Sequence, residues 1–147
     1  MQKPGKKVIN EKIEQFKRKC RQNGMKITPQ RVAVYEELLR NGQHPSAEAL
    51  CRKVRKKHPN ISLDTVNRTL ITLAEMGVAF IVEGSGDVKR FDGNLECHQH
   101  FKCIKCKRII DFHHEPFDRI ELPKEIDERF QITKKSVYLE GICDKCS

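Results

Sequence analysis

A chain of 147 residues suits one ordinary domain or two small ones, and in the second case each half is near the size where a core alone is marginal. With 33% charged residues, 6% aromatic and no Trp, it is polar with an aliphatic core, and no run is long and apolar enough to span a membrane. The net charge of +9 and pI near 9.3 point to an anionic partner, nucleic acid being the usual one, with a plainly solvated basic surface as an equally open alternative on charge alone. The N-terminus, MQKPGKKVIN, has no apolar stretch of the signal-peptide kind, so a cytoplasmic location is expected. Seven cysteines in a reducing compartment point to metal ligation ahead of disulfides.

Residues 1–10 read as a flexible basic tail. A first helix is expected over Glu11–Gln22, with Ile13, Phe16 and Cys20 at helical spacing and a stop at Asn23-Gly24. Thr28 caps a second, with Pro29 at its first position, and Val32, Tyr35, Leu38 and Leu39 form one face. Ser46 caps a third, which buries Leu50 and Val54, exposes RKVRKK and ends before Pro59. Ser62 caps the fourth, with Asp64 in its first turn, Val66, Leu70 and Leu73 on one face, and Gly77 closing it. The period then changes. VAFIVEG and DVKRFDG are strand-like runs around Gly84-Ser85-Gly86, so helices followed by a hairpin give the outline of a winged helix-turn-helix over 11–92.

From 93 to 147 a second, α+β unit is expected. Strand-like HFKCIKC, KRIIDFH and QITKKSVYLEGIC surround a short helical piece at Leu122–Arg129. Cys103-Ile-Lys-Cys106 and Cys143-Asp-Lys-Cys146 can each close a knuckle and together form a four-thiolate shell, which is closed to substrate and therefore structural. A redox CxxC requires a strand-then-helix context that neither pair has, which speaks against a thiol enzyme. In a strand His98 and His100 share a face, and the carboxylates Asp92 and Asp111 lie close in sequence. Such a nitrogen and oxygen set suits Fe(II), Mn(II) or Zn(II), with a surface histidine pair as the open alternative. A zinc deaminase is excluded, because His100 stands where that chemistry needs Glu and no Pro precedes Cys103. His113-His114-Glu115 offers at most one residue to any site, and Cys97 reads as a buried small side chain.

The motifs ITPQR (27–31), HPSAE (44–48), SLDTVNRTL (62–70), RFD (90–92), HQHFKCIKCKRIIDF (98–112) and the closing CDKC resemble the ferric uptake regulator (Fur) family from Lys12 to Cys146. That resemblance implies a homodimeric, metal-dependent repressor that is not an enzyme. It would have an N-terminal winged helix for double-stranded DNA with a palindromic operator, and a C-terminal α/β dimerisation domain. Cys103, Cys106, Cys143 and Cys146 match the structural zinc ligands. His44, Asp92, His98, His100 and Asp111 match the regulatory Fe(II) or Mn(II) ligands, so that metal joins the two domains in the DNA-binding shape. Asp at 111, where iron-uptake repressors usually carry Glu, resembles the peroxide-responsive branch. In that branch iron-catalysed oxidation of a ligand histidine, matched here by His44 and His98, releases DNA. An iron- or zinc-responsive repressor without oxidation is the alternative. Asn67 replaces the Tyr usual in the recognition helix. Thr65, Arg68 and Thr72 face away from the core stripe with Asn67 on its shoulder, Arg68 and Asn67 can read guanine and adenine edges, and Arg31, Lys89 and Arg90 are expected on phosphates.

Overall fold

Three hydroxyl caps start the three helices that come next after the first one. In the computed structural model, which describes residues 4–42, 44–82, 88–96 and 98–147, the side chains of Thr28, Ser46 and Ser62 accept the amide N–H of Arg31, Ala49 and Thr65 at 3.2, 3.2 and 3.0 Å. Each satisfies an amide that the first helical turn leaves without a partner. The Gly84-Ser85-Gly86 turn and Cys97 lie outside the described residues. The chain divides into two units, Met1–Leu95 and Glu96–Ser147.

The first unit contains α1 (Lys6–Gln22), α2 (Pro29–Arg40), α3 (Ala47–Val54), α4 (Leu63–Glu75), β1 (Phe80–Ile81) and β2 (Phe91–Asp92). Its core joins Phe16 and Tyr35, Leu38, Leu50, Val66, Leu70 and Leu73, with Phe91 entering from β2. Just past α4 stands Gly77, whose φ of +74° is open to glycine without strain, and the Val78 amide returns to the Leu73 carbonyl at 3.0 Å. β1 and β2 pair antiparallel, Phe80 opposite Asp92. Helix α1 begins at Lys6, where a tail was expected to residue 10. The reason is Ile9, buried with Ile13, Phe16 and Cys20, which extends the apolar stripe by one turn. The unit also runs on to Leu95 rather than 92. Gly93 lies so close to α2 that a Cβ there would stand 3.2 Å from the Leu39 side chain.

The second unit is a three-stranded sheet ordered β4-β3-β5, with β3 (Gln99–Cys103), β4 (Ile109–Phe112) and β5 (Tyr138–Gly141). β4 is antiparallel to β3 and β5 parallel to it. Of the long QITKKSVYLEGIC run only Tyr138–Gly141 is strand. Tyr138 lies opposite His100, one residue from where β3 begins, so the pairing with β3 starts there. A short helix α5 (Glu115–Asp118), absent from the sequence reading, follows β4, and α6 (Lys124–Asp127) falls inside the expected helical piece. Among the described residues, those buried here are Cys103, Cys143, Gln99 and His100, so sulfur and polar groups take the place of an aliphatic core.

Candidate metal centres

Parallel pairing of β3 with β5 brings the two CxxC turns side by side, since Cys103 ends β3 opposite Gly141 and Cys143 follows two residues later. Lys107 adopts φ 64° and its amide bonds the Cys103 carbonyl at 2.9 Å, closing the first knuckle; the Cys146 and Ser147 amides bond the Cys143 carbonyl, closing the second. Arg108 and Asp144 link the knuckles at 2.7 Å. The sulfurs of Cys103, Cys106, Cys143 and Cys146 lie within 4.8 Å of one another, and those of Cys106 and Cys143 are 3.8 Å apart. Zn–S bonds of about 2.3 Å in a tetrahedron place sulfurs about 3.8 Å apart, so the donors fit zinc. Electrostatics agree. The amides of Cys106 and Cys143 donate to Cys103 Sγ at 3.5 and 3.4 Å and hold that thiol down to about 6. Cys146, sharing hydrogen bonds with Cys143 and Cys106, is pushed up to about 12. Four clustered thiols cannot all ionise unaided, and a divalent cation resolves that conflict.

The second unit also assembles three nitrogen and oxygen donors. His100 on β3 lies directly opposite Asp111 on β4, and His98 shares its face. His98 Nε2 is 3.1 Å from His100 Nε2, and Asp111 Oδ1 is 3.2 Å from His100 Nε2 and 3.9 Å from His98 Nε2. Metal bonds near 2.1 Å space neighbouring ligands about 3.0 Å apart in an octahedron and about 3.4 Å in a tetrahedron, so this set also fits a divalent ion. His98 Nδ1 contacts the Glu96 carbonyl at 2.5 Å; that nitrogen must carry the proton to donate, which leaves Nε2 as the ligand atom. Gln99, pointing the other way, donates to Asp118 Oδ1 at 2.7 Å and accepts the His114 amide at 2.8 Å. His113 Nε2 meets Asp118 Oδ2 at 2.7 Å. Gln99 and Asp118 thus steady β3 from behind. Only the alternation of Gln99 with the histidines could have signalled this.

In the first unit His44 Nε2 lies 3.3 Å from Asp92 Oδ2, both side chains being buried. The Phe91 amide bonds the Pro45 carbonyl at 3.0 Å and Ser46 bridges Arg90, so the loop before α3 is fastened to β2 and the two donors meet. His44 sits at φ 53°, a left-handed conformation uncommon for residues with a Cβ. Arg90 Nε donates to its carbonyl at 2.6 Å. Arg90, expected on phosphate, is half-buried and holds a candidate ligand in place. Arg90→Ala is therefore expected to weaken Mn(II) binding roughly ten-fold, the usual cost of losing a ligand's support, in a metal titration. Unchanged Mn(II) affinity with weakened DNA binding would return Arg90 to the phosphate role.

The other expected DNA contacts lie as follows. Arg31 Nη1 donates to the Lys26 carbonyl at 2.6 Å, and the Thr65 hydroxyl is shared with the Ser62 cap at 2.8 Å. Arg68 pairs with Asp64 one turn back at 2.9 Å, both largely exposed. Asn67 and Lys89 line a groove of about 560 Å³ with Ser46, Glu48, Leu63 and Val88. Among the described residues, no third group of His, Cys, Asp or Glu donors comes together.

The fold and the two donor sets define a metal-dependent regulator of the winged-helix type. The chain belongs to the ferric uptake regulator family, whose model matches residues 22–140. It is 30% identical over 138 residues to the peroxide-responsive repressor PerR of Staphylococcus epidermidis, covering 94% of this chain and 92% of that protein. Among solved structures it resembles the Helicobacter pylori ferric uptake regulator Fur, with a TM-score of 0.79 over 99% of this chain and 97% of the other; at 23% identity that likeness speaks for the fold. It also resembles PerR from Streptococcus pyogenes, described in terms of peroxide sensing and gene regulation, with 28% identity, a TM-score of 0.52 and 92% of both chains covered.

Proposed function

We propose that the protein is a homodimeric repressor that binds a palindromic DNA operator when Fe(II) or Mn(II) occupies its regulatory donors, and that hydrogen peroxide releases it by oxidising His44 or His98. The observation that carries this reading is the His98, His100 and Asp111 set, with spacings of 3.1–3.9 Å and an Asp as its carboxylate. His44 and Asp92 would complete the ligands of the same ion, and the four cysteines would hold zinc. Fe(II) held there would supply the one-electron chemistry that opens the O–O bond of peroxide, while the imidazole is the net two-electron reductant and the iron is not consumed. In balance, the imidazole carbon gains one oxygen and the second oxygen of peroxide leaves as water. The modified ring is a poorer nitrogen donor, so the closed form loses the stabilisation that metal gave it.

DNA as the partner is supported by charge. Met1–Leu95 contains 19 of the 29 Lys and Arg but 10 of the 20 Asp and Glu, so the whole +9 resides in the winged-helix unit and Glu96–Ser147 is balanced. The dimer is supported by the second unit's exposed apolar side chains Ile120, Ile126, Phe130, Ile132 and Leu139. A two-fold dimer matches a palindrome.

Peptide mass spectrometry on Fe(II)-loaded protein, before and after a brief peroxide pulse, tests the mechanism, with Mn(II)-loaded protein as the control. One added oxygen at His44 or His98 with iron alone is the expected result. Intact histidines and DNA binding indifferent to peroxide would leave an iron- or zinc-responsive repressor without an oxidation step. Peroxide turnover by the CxxC thiols would instead favour a redox enzyme.

A further inference from the structure

Arg52, Lys53, Arg55, Lys56 and Lys57 place five cations in six residues at the end of α3, all exposed. Among the described residues, Arg52, Lys53, Lys56 and Lys57 have no carboxylate partner. The nearest acid before them in sequence, Glu48, occupies the first turn at the other end of α3. One or two cations satisfy the negative end of a helix dipole. Five of one sign in a single stretch repel one another, whereas solvated surfaces usually mix both signs. The segment is also fixed in place. The amides of Arg55, Lys56, Lys57 and His58 bond back to Cys51, Lys53 and Val54 carbonyls at 2.9–3.2 Å. Arg55 Nε donates to the Ile61 carbonyl at 3.0 Å, pinning the turn immediately before the Ser62 cap of α4.

We propose that this basic turn is a DNA-backbone clamp, in which Arg52, Lys53, Lys56 and Lys57 contact phosphates beside the groove that α4 reads. The proposal rests on the DNA-binding reading above and adds a surface to it. In a helix-turn-helix the first helix crosses the backbone while the N-terminus of the second enters the major groove. Here α3 is that first helix, and its cationic end leads directly into the N-terminus of α4. Contacts to phosphate position the protein and supply affinity without reading sequence. The clamp therefore acts equally on every duplex, while Asn67 and Arg68 discriminate among them.

The test uses full-length Mn(II)-loaded protein and duplexes that the wild type itself selects from random-sequence DNA. Binding is measured from low to physiological salt for wild type, K56Q/K57Q, K56R/K57R and the equal-charge control K124Q/R129Q in the second unit. Each lost phosphate contact flattens the slope of log K against log salt by about 0.9, so K56Q/K57Q is expected to flatten it by about 2 per protomer and weaken binding roughly ten-fold, by the same factor on every duplex. K56R/K57R and K124Q/R129Q are expected to match wild type, and all variants to keep its melting temperature and zinc content. A K56Q/K57Q slope equal to wild type overturns the clamp and leaves the DNA reading standing. An equal flattening in K124Q/R129Q reduces the effect to net charge and also overturns it. A wild type that selects no duplex overturns the DNA-binding reading and the clamp with it.

Discussion

Cys103→Ser is expected to strip the zinc from the protein and unfold Glu96–Ser147 while leaving the helical unit folded. The reason lies in what each unit buries. Met1–Leu95 has a continuous hydrophobic core, whereas the buried set among the second unit's described residues is two cysteines, a glutamine and a histidine. At the usual 0.05–0.15 kcal/mol per residue, a unit of this length has roughly 3–8 kcal/mol of net stability available. Structural zinc contributes on the order of 10 kcal/mol to such folds, so its loss exceeds the whole of that net stability. Serine offers no thiolate, and the knuckle amides of Cys106 and Cys143 that now point at Cys103 Sγ would face a weaker acceptor.

The measurement is zinc content after dialysis against a chelator, together with amide exchange along the chain. Wild type should retain about one zinc per chain, and the variant none, with rapid exchange in β3, β4 and β5 and protection kept in α2 and α4. Asp144→Ala, which removes the exposed partner of Arg108, is the contrasting case and should change neither quantity, because an exposed pair adds little. Full zinc and a protected sheet in the Cys103→Ser protein would mean that the thiolate set is not what stabilises the unit.

How legible these features were depends on how local their causes are. The caps at Thr28, Ser46 and Ser62, the stop at Gly77 and the core stripe Val66, Leu70 and Leu73 follow from neighbours within one or two turns, and the structure has them all. The thiol cluster was legible from paired spacing, and the facing of His98 and His100 from strand alternation. The approach of His44 to Asp92 was not. It depends on Phe91 bonding Pro45 and on the Ser46–Arg90 bridge, pairings between segments more than 40 residues apart that no periodicity announces. Only the family resemblance had nominated His44 as a ligand. The support that Arg90 gives His44 was out of reach for the same reason, since its bond to the His44 carbonyl is non-local. The early start of α1 was missed because Ile9 is a single apolar residue among lysines, and its burial is a tertiary fact. β5 is shorter than its strand-like run because register with β3, not composition, sets where the pairing begins.

Asp111→Glu is expected to keep metal-dependent DNA binding and lose at least roughly ten-fold in peroxide sensitivity, a shift of the size that altered ligand placement produces. The argument starts from register. Asp111 is directly opposite His100, and its short stem sets Oδ1 3.2 Å from His100 Nε2 and 3.9 Å from His98 Nε2. Glu keeps the charge and the oxygen donors, so a divalent ion is still held. It adds one methylene and one rotatable bond, which lets both oxygens reach the ion and leaves less room for peroxide beside the histidines. The ligand set then senses metal without being consumed. Two quantities follow this change: the rate of oxygen gain at the His44 and His98 peptides under a fixed peroxide dose, and the DNA-bound fraction over the same interval. Both should fall behind wild type together in the iron-loaded variant, while Mn(II)-loaded forms of the two proteins bind DNA alike. A variant oxidised as fast as wild type would show that the carboxylate's length has no part in peroxide reactivity. A variant that no longer binds DNA with Mn(II) would place Asp111 in metal retention alone.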